Sequence, residues 1–534
     1  MDTKGKESDE ILFHEIHKFG RSSIAVIVIL SGLGVFWLYG YLVQLRHGLV
    51  VTGLNVPAYW AIYLANFVYF IGLSHAGTLI SAILRVTYAE WRRPVTRLAE
   101  AITVFVLLFG IANIGLDLGR PDRGPINIFK FGRFQSPLLW DFASIFTYLV
   151  LSSLFLYVAT IPDLAHLRDR VKRGKRFYEI LALNFRGTEK QWHQYERSVL
   201  VLSVIVIPVA VSVHTVISFI FSMTLQPMWH ETMFGPYFVA GAIFSGVAAI
   251  CVAMYLIRRF YHMEEYLTPR VFNNMGKILL AMSLIWFYFF LAENLTTWYG
   301  NEAATMTVLR ERALGRYQIP WILLILTNIV IPFILLTLRR TVRGVTIAGA
   351  SVCIGMYLER FLIVVPTMLN PRLPLVEPRS YGLPSYIPTW IEFGSIIGSF
   401  AIFALLYYLF TKVVPIVPFS EVREEEKRAL EMHDGGLEEA HHQPSGRQSD
   451  NVRKIQYGLI AGFLLFELVI VGFMLNGIRN GLIFGIFNKE ILDMGSLVFS
   501  LGVNFFFLPV HLVMMYTMTK LGLVLIREGD ATTI

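Results

Sequence analysis

A chain of 534 residues that is 55% hydrophobic and only 16% charged, with a mean hydropathy of +0.57, cannot be a soluble globule, in which about a quarter of residues carry charge. Its formal charge of +8 does not point to nucleic acid, because membrane proteins sort their bases to one face. The two cysteines, Cys251 and Cys353, lie inside apolar runs with no CxxC or CxxCH. Zinc knuckles, iron–sulfur ligand sets and covalent haem are excluded on that pattern, and no metal is expected in this chain.

Runs apolar enough to cross about 30 Å of hydrocarbon fall at 23–45, 58–84, 98–118, 138–161, 198–223, 236–257, 273–298, 318–338, 344–366, 388–414, 456–476 and 495–526. They predict an all-α integral membrane protein of twelve transmembrane helices. The polar start from Met1 to Arg21, with no small-residue cleavage pattern after the first run, reads as the tail of a retained helix. Most of the 46 lysines and arginines sit at the N-terminus and in the even-numbered links. That asymmetry puts both termini in the cytoplasm of a multi-pass protein of the inner (plasma) membrane.

Along the chain, residues 1–57 form a tail and first helix, 58–223 a first four-helix bundle (helices 2–5), 224–366 a second (helices 6–9) and 367–417 the tenth helix. The link from Pro162 to Arg197 is an orientation anchor with a short surface helix around Lys175–Leu183. Residues 418–453 form a polar linker whose His441 and His442 are solvated rather than metal-bound. Residues 454–534 are an appended two-helix module. Helix two (YFIGLSHAGTLISAILR) and helix six (YFVAGAIFSGVAAICVAMYLIRR) both end in bases, a faint repeat four helices apart that relates the two bundles. Setting Gly72 against Gly241 puts His75 opposite Phe244.

The link IANIGLDLGRPDRGPINIFKFGRFQSPLLWD, from Ile111 to Asp141, concentrates the polar chemistry. Asp117 ends one apolar run and Asp141 starts the next, so the two carboxylates share a depth on the outward side, with Arg120, Arg123, Lys130 and Arg133 between them. Ionisable groups at such depth mark function by default, and carboxylates there suit a substrate that releases protons at the membrane edge. Two plainer fates stay open: Asp141 caps helix four and Asp117 pairs with Arg120.

His75 shares a face with Ser74, Thr78 and Ser81, an arrangement that relays protons or packs against a neighbouring helix. His214 and His511 are the other intramembrane histidines, and no helix carries two at the spacing of a two-haem cytochrome. Glu293, Glu359, Arg360 and Glu392 lie in the outward halves of helices seven, nine and ten. Glu359 and Arg360 point about 100° apart and need other partners, Glu293 with Arg360 being one candidate buried pair. Such a pair is structural or part of a proton wire.

The motifs SHAGTLISAILR (74–85), LGRP (118–121), SPLLWD (136–141), IPDLAHLRD (161–169), SVHTVISF (212–219), PYFVAGAIFSG (236–246), YLERF (357–361) and IPTWIEFGSIIGSF (387–400) resemble the NrfD/PsrC family of quinone-interacting membrane subunits. Within it, they look most like the ActC-type subunit of bacterial alternative complex III. The resemblance covers helices one to ten and implies a menaquinol site near the outer face of the first bundle. Electrons would leave through an extracytoplasmic iron–sulfur subunit to cytochrome c subunits, beside a paralogous membrane subunit in the same lipid bilayer. Asp141 matches the family's acidic site residue, and Asp117 stands where the family often has His; on this reading both would accept protons, with Arg120, Trp140 and His230 shaping the quinol pocket. His75, Asp163, His214, Glu293, Glu359 and Arg360 would belong to a proton route. A structural ActF-type paralog without quinone, and a secondary transporter, are the alternative readings.

Overall fold

The computed structural model describes residues 16–124, 136–171, 174–372, 385–419, 450–487 and 494–531. Lys130, Arg133, His441, His442 and nearly all of the 418–453 linker lie outside the described residues. The described chain contains twelve helices long and apolar enough to span a bilayer. They are α1 (Arg21–His47), α2 (Ile62–Val86), α3 (Arg93–Asp117), α4 (Pro137–Arg170), α5 (Glu189–Ser222), α6 (Phe234–Phe260), α7 (Pro269–Gly300), α8 (Gln318–Leu338), α9 (Val342–Leu369), α10 (Trp390–Val413), α11 (Asp450–Phe487) and α12 (Met494–Ala531).

Hydrocarbon offers no hydrogen bonds, so each backbone group must be satisfied within its helix. Several helices outrun their apolar stretch because polar residues continue the turn into the interface. On the side away from the Asp117–Asp141 link, α4 extends to Arg170 and α5 begins at Glu189, with the surface helix Lys175–Leu181 between them. Helix starts are capped where the sequence provides the means. Thr188 and Gln191 cap each other's backbone at α5, Thr389 and Glu392 do so at α10, and the Thr341 hydroxyl accepts from Gly344 N at α9. The last turn of α7 ends at Asn301 in the left-handed conformation (φ 44°).

Helices α2 to α5 close into one ring of neighbours and α6 to α9 into another, and the rings meet where α2 and α5 lie against α6 and where α2 lies against α9. Small residues set the close approaches. A methyl group on Gly77 would stand 2.1 Å from Ala99 O and 2.2 Å from Thr103 Oγ1, so α2 and α3 touch backbone to backbone there. Gly72 faces Ala242 and Ser245 across the α2–α6 seam, which brings the two helices of the repeat into direct contact.

α1 pairs with α10, and α10 leans on α3. The appended helices pack outside the first bundle, with α12 on α5 and α4. They are fastened by Gln191 Nε2 to Leu525 O (2.9 Å), Asn184 Nδ2 to Ile526 O (3.2 Å) and Gln456 Nε2 to Glu179 O (2.7 Å). Midway along α8, the segment Leu326–Val330 forms a π turn. Its loosened carbonyls are taken by neighbours: Ser283 Oγ of α7 donates to Asn328 O (3.2 Å) and Ser351 Oγ of α9 to Thr327 O (2.7 Å).

Candidate functional site

The two acids of the rim sit at the same end of adjacent helices. Ser136 occupies the N-cap position of α4 and Pro137 its first turn, which puts Asp141 a turn inside the helix rather than at its cap. Arg120 grips Asp122 with a fork of 3.0 and 2.9 Å at the surface, so it does not hold Asp117. Neither plainer fate is met. Instead Oδ1 of Asp117 and Oδ1 of Asp141 are each buried without a hydrogen-bond partner, an arrangement that costs free energy whenever the carboxylate is ionised.

Trp140 is buried next to Asp141. Glu392 is within electrostatic reach of Asp117 and accepts from Gly53 N (2.7 Å), Thr389 N (2.8 Å) and the Tyr386 hydroxyl (2.5 Å). The Tyr63 hydroxyl donates to Gln44 Oε1 (2.6 Å), and Gln44 Nε2 donates to Leu116 O (2.8 Å), clamping the ends of α1, α2 and α3 that meet the rim. His230 is exposed on the α5–α6 connection, its Nδ1 3.1 Å from Ser222 O. Its neighbour Trp229 is buried and donates to Ile363 O of α9 at 2.9 Å, an anchor that no sequence motif signals.

Seven residues along a helix return nearly to the same face, so Tyr148 lies below Asp141, pointing into the bundle. Its hydroxyl donates to Ser74 O at 3.1 Å. There the His75 and His214 rings meet edge on, with centroids 3.9 Å apart and both side chains fully buried. The two nitrogens of His214 lie 3.0 Å from Ala210 O and 2.9 Å from Ile71 O. A neutral imidazole has one N–H, so only the protonated ring satisfies both carbonyls. His75 beside it has no partner for either ring nitrogen.

Below the pair, Thr103 Oγ1 donates to Ser74 O (2.8 Å) and accepts from Thr78 N (2.9 Å), and Ser81 Oγ donates to Glu100 Oε1 (2.5 Å). The column ends where Arg97 pairs with Asp163 and also donates to Pro415 O and Ala159 O, both at 3.0 Å. Asp163 of the expected route is thus held in a buried ion pair. Glu100, Arg97 and Tyr148 were missed, since each looks like an isolated polar residue until the helices are assembled.

In the second bundle one expectation is corrected. Arg360 pairs with its sequence neighbour Glu359 (Nη1 to Oε2, 3.1 Å) rather than with Glu293. Two long side chains overcome a 100° offset when there is room, and Gly241 of α6 provides it: a methyl there would stand 2.8 Å from Arg360 Nη2. Phe238 lies 4.7 Å beneath the guanidinium, and Trp286 Nε1 donates to Glu359 Oε1 at 2.8 Å. Glu293 faces Arg312, from the short helix Ala303–Ala313. In the appended module, His511 bridges Glu467 (2.6 Å) and Thr147 of α4 (2.9 Å), all three buried. Among the described residues no cluster of three His, Cys, Asp or Glu side chains could hold a metal ion.

Two four-helix bundles of membrane-spanning length, with a carboxylate oxygen of Asp117 and of Asp141 unpartnered at one rim and an interior column of hydroxyls and imidazoles, define a polytopic helical membrane protein. The chain belongs to the polysulphide reductase NrfD family, whose model matches residues 50–371. It is 26% identical over 423 residues to a putative dimethyl sulfoxide reductase membrane subunit of Halobacterium salinarum, covering 74% of this chain and 92% of the relative. The Hdr-like menaquinol oxidoreductase integral membrane subunit of Archaeoglobus fulgidus is 24% identical over 428 residues, 77% of this chain and 98% of its own. A selenate reductase subunit of Mesobacillus selenatarsenatis is 24% identical over 406 residues, 73% and 93%. Helices α10 to α12 lie beyond the segment that the family model matches.

Proposed function

We propose that this chain is the quinone-interacting membrane subunit of a multi-subunit oxidoreductase and that it oxidises menaquinol at the rim of its first bundle. The relatives support the class, being subunits of oxidoreductases, one of them a menaquinol oxidoreductase by name. The single observation that carries the chemistry is the pair of buried, unpartnered carboxylate oxygens on Asp117 and Asp141. Menaquinol supplies two electrons and two protons on oxidation to menaquinone.

Asp141 and Asp117 accept the hydroxyl protons, which relieves the cost of holding those carboxylates ionised in a half-buried rim. Trp140, buried next to Asp141, offers the quinol ring an apolar contact, and the exposed Arg120 and His230 are the groups that shape the headgroup end of the site. The electrons pass to an iron–sulfur subunit docked over the rim and on to cytochromes c, since onward electron transfer is the work of bound redox centres rather than of side chains. The column from Tyr148 through His75, His214 and Ser81 to Glu100 gives a route by which oxidation is coupled to proton movement, and the buried Arg97–Asp163 ion pair closes its far end. The distribution of bases turns the rim toward the outside of the cell membrane.

The test is Asp141→Asn in the assembled complex. Asn keeps the shape and breaks no hydrogen bond of Oδ1, so assembly and bound menaquinone persist. Loss of the proton acceptor lowers quinol turnover by roughly 10²–10⁴-fold, the range for a positioned general base. Unchanged turnover, or a complex from which no menaquinone can be extracted, overturns the reading.

A further inference from the structure

Glu392 is a charged side chain at the rim to which the quinol chemistry gives no task. It lies in the first turn of α10 and is fully buried. Its Oε2 accepts from Gly53 N at 2.7 Å and from Thr389 N at 2.8 Å, and its Oε1 accepts from the Tyr386 hydroxyl at 2.5 Å. Two backbone N–H groups and a phenol are a donor set that suits a carboxylate. The first turn of a helix is also where the aligned peptide dipoles favour negative charge. Glu392 is therefore held in place as an anion, bonded on one side to its own helix start and on the other to the α1–α2 link.

The register of α3 against α10 decides what that anion faces. The two helices run in opposite directions, α3 ending at the rim and α10 starting there. Asn113 of α3 fixes their alignment, accepting from Ser395 Oγ at 3.2 Å and donating to Ser399 Oγ at 3.3 Å. One turn nearer the rim, α3 presents Asp117 and α10 presents Glu392, because residues three or four apart share a helix face. The two carboxyl groups thus meet across one seam, and the charge of Glu392 reaches Asp117. Of the other neighbours, Tyr63 of α2 is within reach of both acids, and its hydroxyl donates to the uncharged Gln44 of α1. On the link that follows α3, Arg120 and Arg123 act on Asp122, and α4 carries Asp141.

We propose that Glu392 is a positioning residue for quinol oxidation: its fixed negative charge acts on Asp117 across the α3–α10 seam and drives that side chain to take a hydroxyl proton from the quinol. The inference rests on the menaquinol reading of the rim. An ionised Asp117 stands beside a second anion with its own Oδ1 buried and unpartnered, and taking up a proton relieves both costs together. In that step an O–H bond of the quinol breaks, an O–H bond forms on Asp117, and the electrons leave to the iron–sulfur subunit proposed above. Glu392 itself touches neither quinol nor proton. It works through Asp117, and its hydrogen bonds keep it from taking the proton in its place.

Glu392→Gln removes the charge and keeps the contacts. Gln serves a capping box as Glu does, its oxygen accepting from Gly53 N and Thr389 N and its amide donating to the Tyr386 oxygen. Infrared spectra of the purified complex over a pH series follow the protonated Asp117 carboxyl, identified as the carbonyl band that Asp117→Asn lacks. In Glu392→Gln that band is expected to be half lost at a pH lower by about one unit or more, the effect of removing a close like charge. The acid limb of kcat/KM for menaquinol moves the same way, and the plateau falls. Adding Glu392→Gln to Asp117→Asn leaves the pH profile unmoved. A band that titrates at the same pH in Glu392→Gln as in the wild type overturns the proposal, and so does a shifted band with the acid limb in its original place. Should Glu392→Gln fail to assemble, Glu392→Asp draws the charge back by one carbon and shifts the band by less in the same direction, with an unmoved band again overturning the proposal. Failure of the quinol reading shows differently, as a wild-type complex without menaquinol turnover.

Discussion

Replacing Asp163 by Asn separates a structural acid from a proton carrier. Arg97 and Asp163 are 2% and 0% exposed, and the guanidinium also donates to Pro415 O and Ala159 O while Asp163 Oδ2 accepts from Phe419 N at 3.3 Å. The pair therefore ties α3, α4 and the segment after α10. Asn retains an acceptor for Phe419 N but removes the charge, leaving Arg97 as an uncompensated buried cation. Breaking one side of a buried pair costs about 3–5 kcal/mol, whereas replacing both by apolar residues of similar size is often neutral or better. Arg97→Met with Asp163→Leu is thus expected to be more stable than either Asp163→Leu or Arg97→Met alone. Equilibrium unfolding of the four proteins in mixed detergent measures the cycle. Additive effects, with Asp163→Asn costing under about 1 kcal/mol, refute the pairing argument and free Asp163 to titrate as part of the proton route.

Three further outcomes follow from the same geometry. Gly77→Ala puts a methyl against Ala99 O and Thr103 Oγ1, and the overpacking costs about 1–3 kcal/mol; thermal unfolding monitored by circular dichroism checks it. His511→Leu strips Glu467 of its 2.6 Å donor and costs about 1–3 kcal/mol for the carboxylate left buried, read as faster proteolysis in the 418–453 linker once α11 and α12 loosen. The Glu231 carboxyl is raised above its ordinary value of 4.5 chiefly by burial, with the Thr297 hydroxyl and Arg312 opposing. An acid that binds its proton more tightly when folded stabilises the protein below the unfolded pKa and loses that contribution as pH rises through the folded one. Glu231→Gln should flatten the decline in stability above about pH 4.5, as measured by unfolding across a pH series.

The spans were legible because hydrocarbon imposes a length and a composition that no other constraint mimics. Helix ends were less so, since Arg170 and Glu189 belong to helices whose polar tips leave the apolar core. The sequence also located Asp117, Asp141 and His75, each a polar residue where apolar ones are the rule. It could not tell that His214 would meet His75, because that contact depends on how α5 turns against α2. Arg312 escaped for the opposite reason: it lies in a connection outside every apolar run, where arginine is ordinary, and only the fold of the short helix carries it inward. Adjacent in sequence, Glu359 and Arg360 were separated on paper by helix geometry alone, which ignores the reach of their side chains.

The π turn of α8 amounts to one surplus residue wound into a membrane helix. The half before it sets Trp321 and Leu324 against the cavity lined by Glu293, Arg312 and Glu359. Excising a single residue from Leu326–Val330 would restore ordinary winding with the flanking halves still on their present faces, because a π turn absorbs its extra residue locally. The Ser283 and Ser351 hydroxyls would then be stranded without acceptors. The surplus residue thus frees two carbonyls for the serines of its neighbours and fastens α7, α8 and α9 to one another at mid-height.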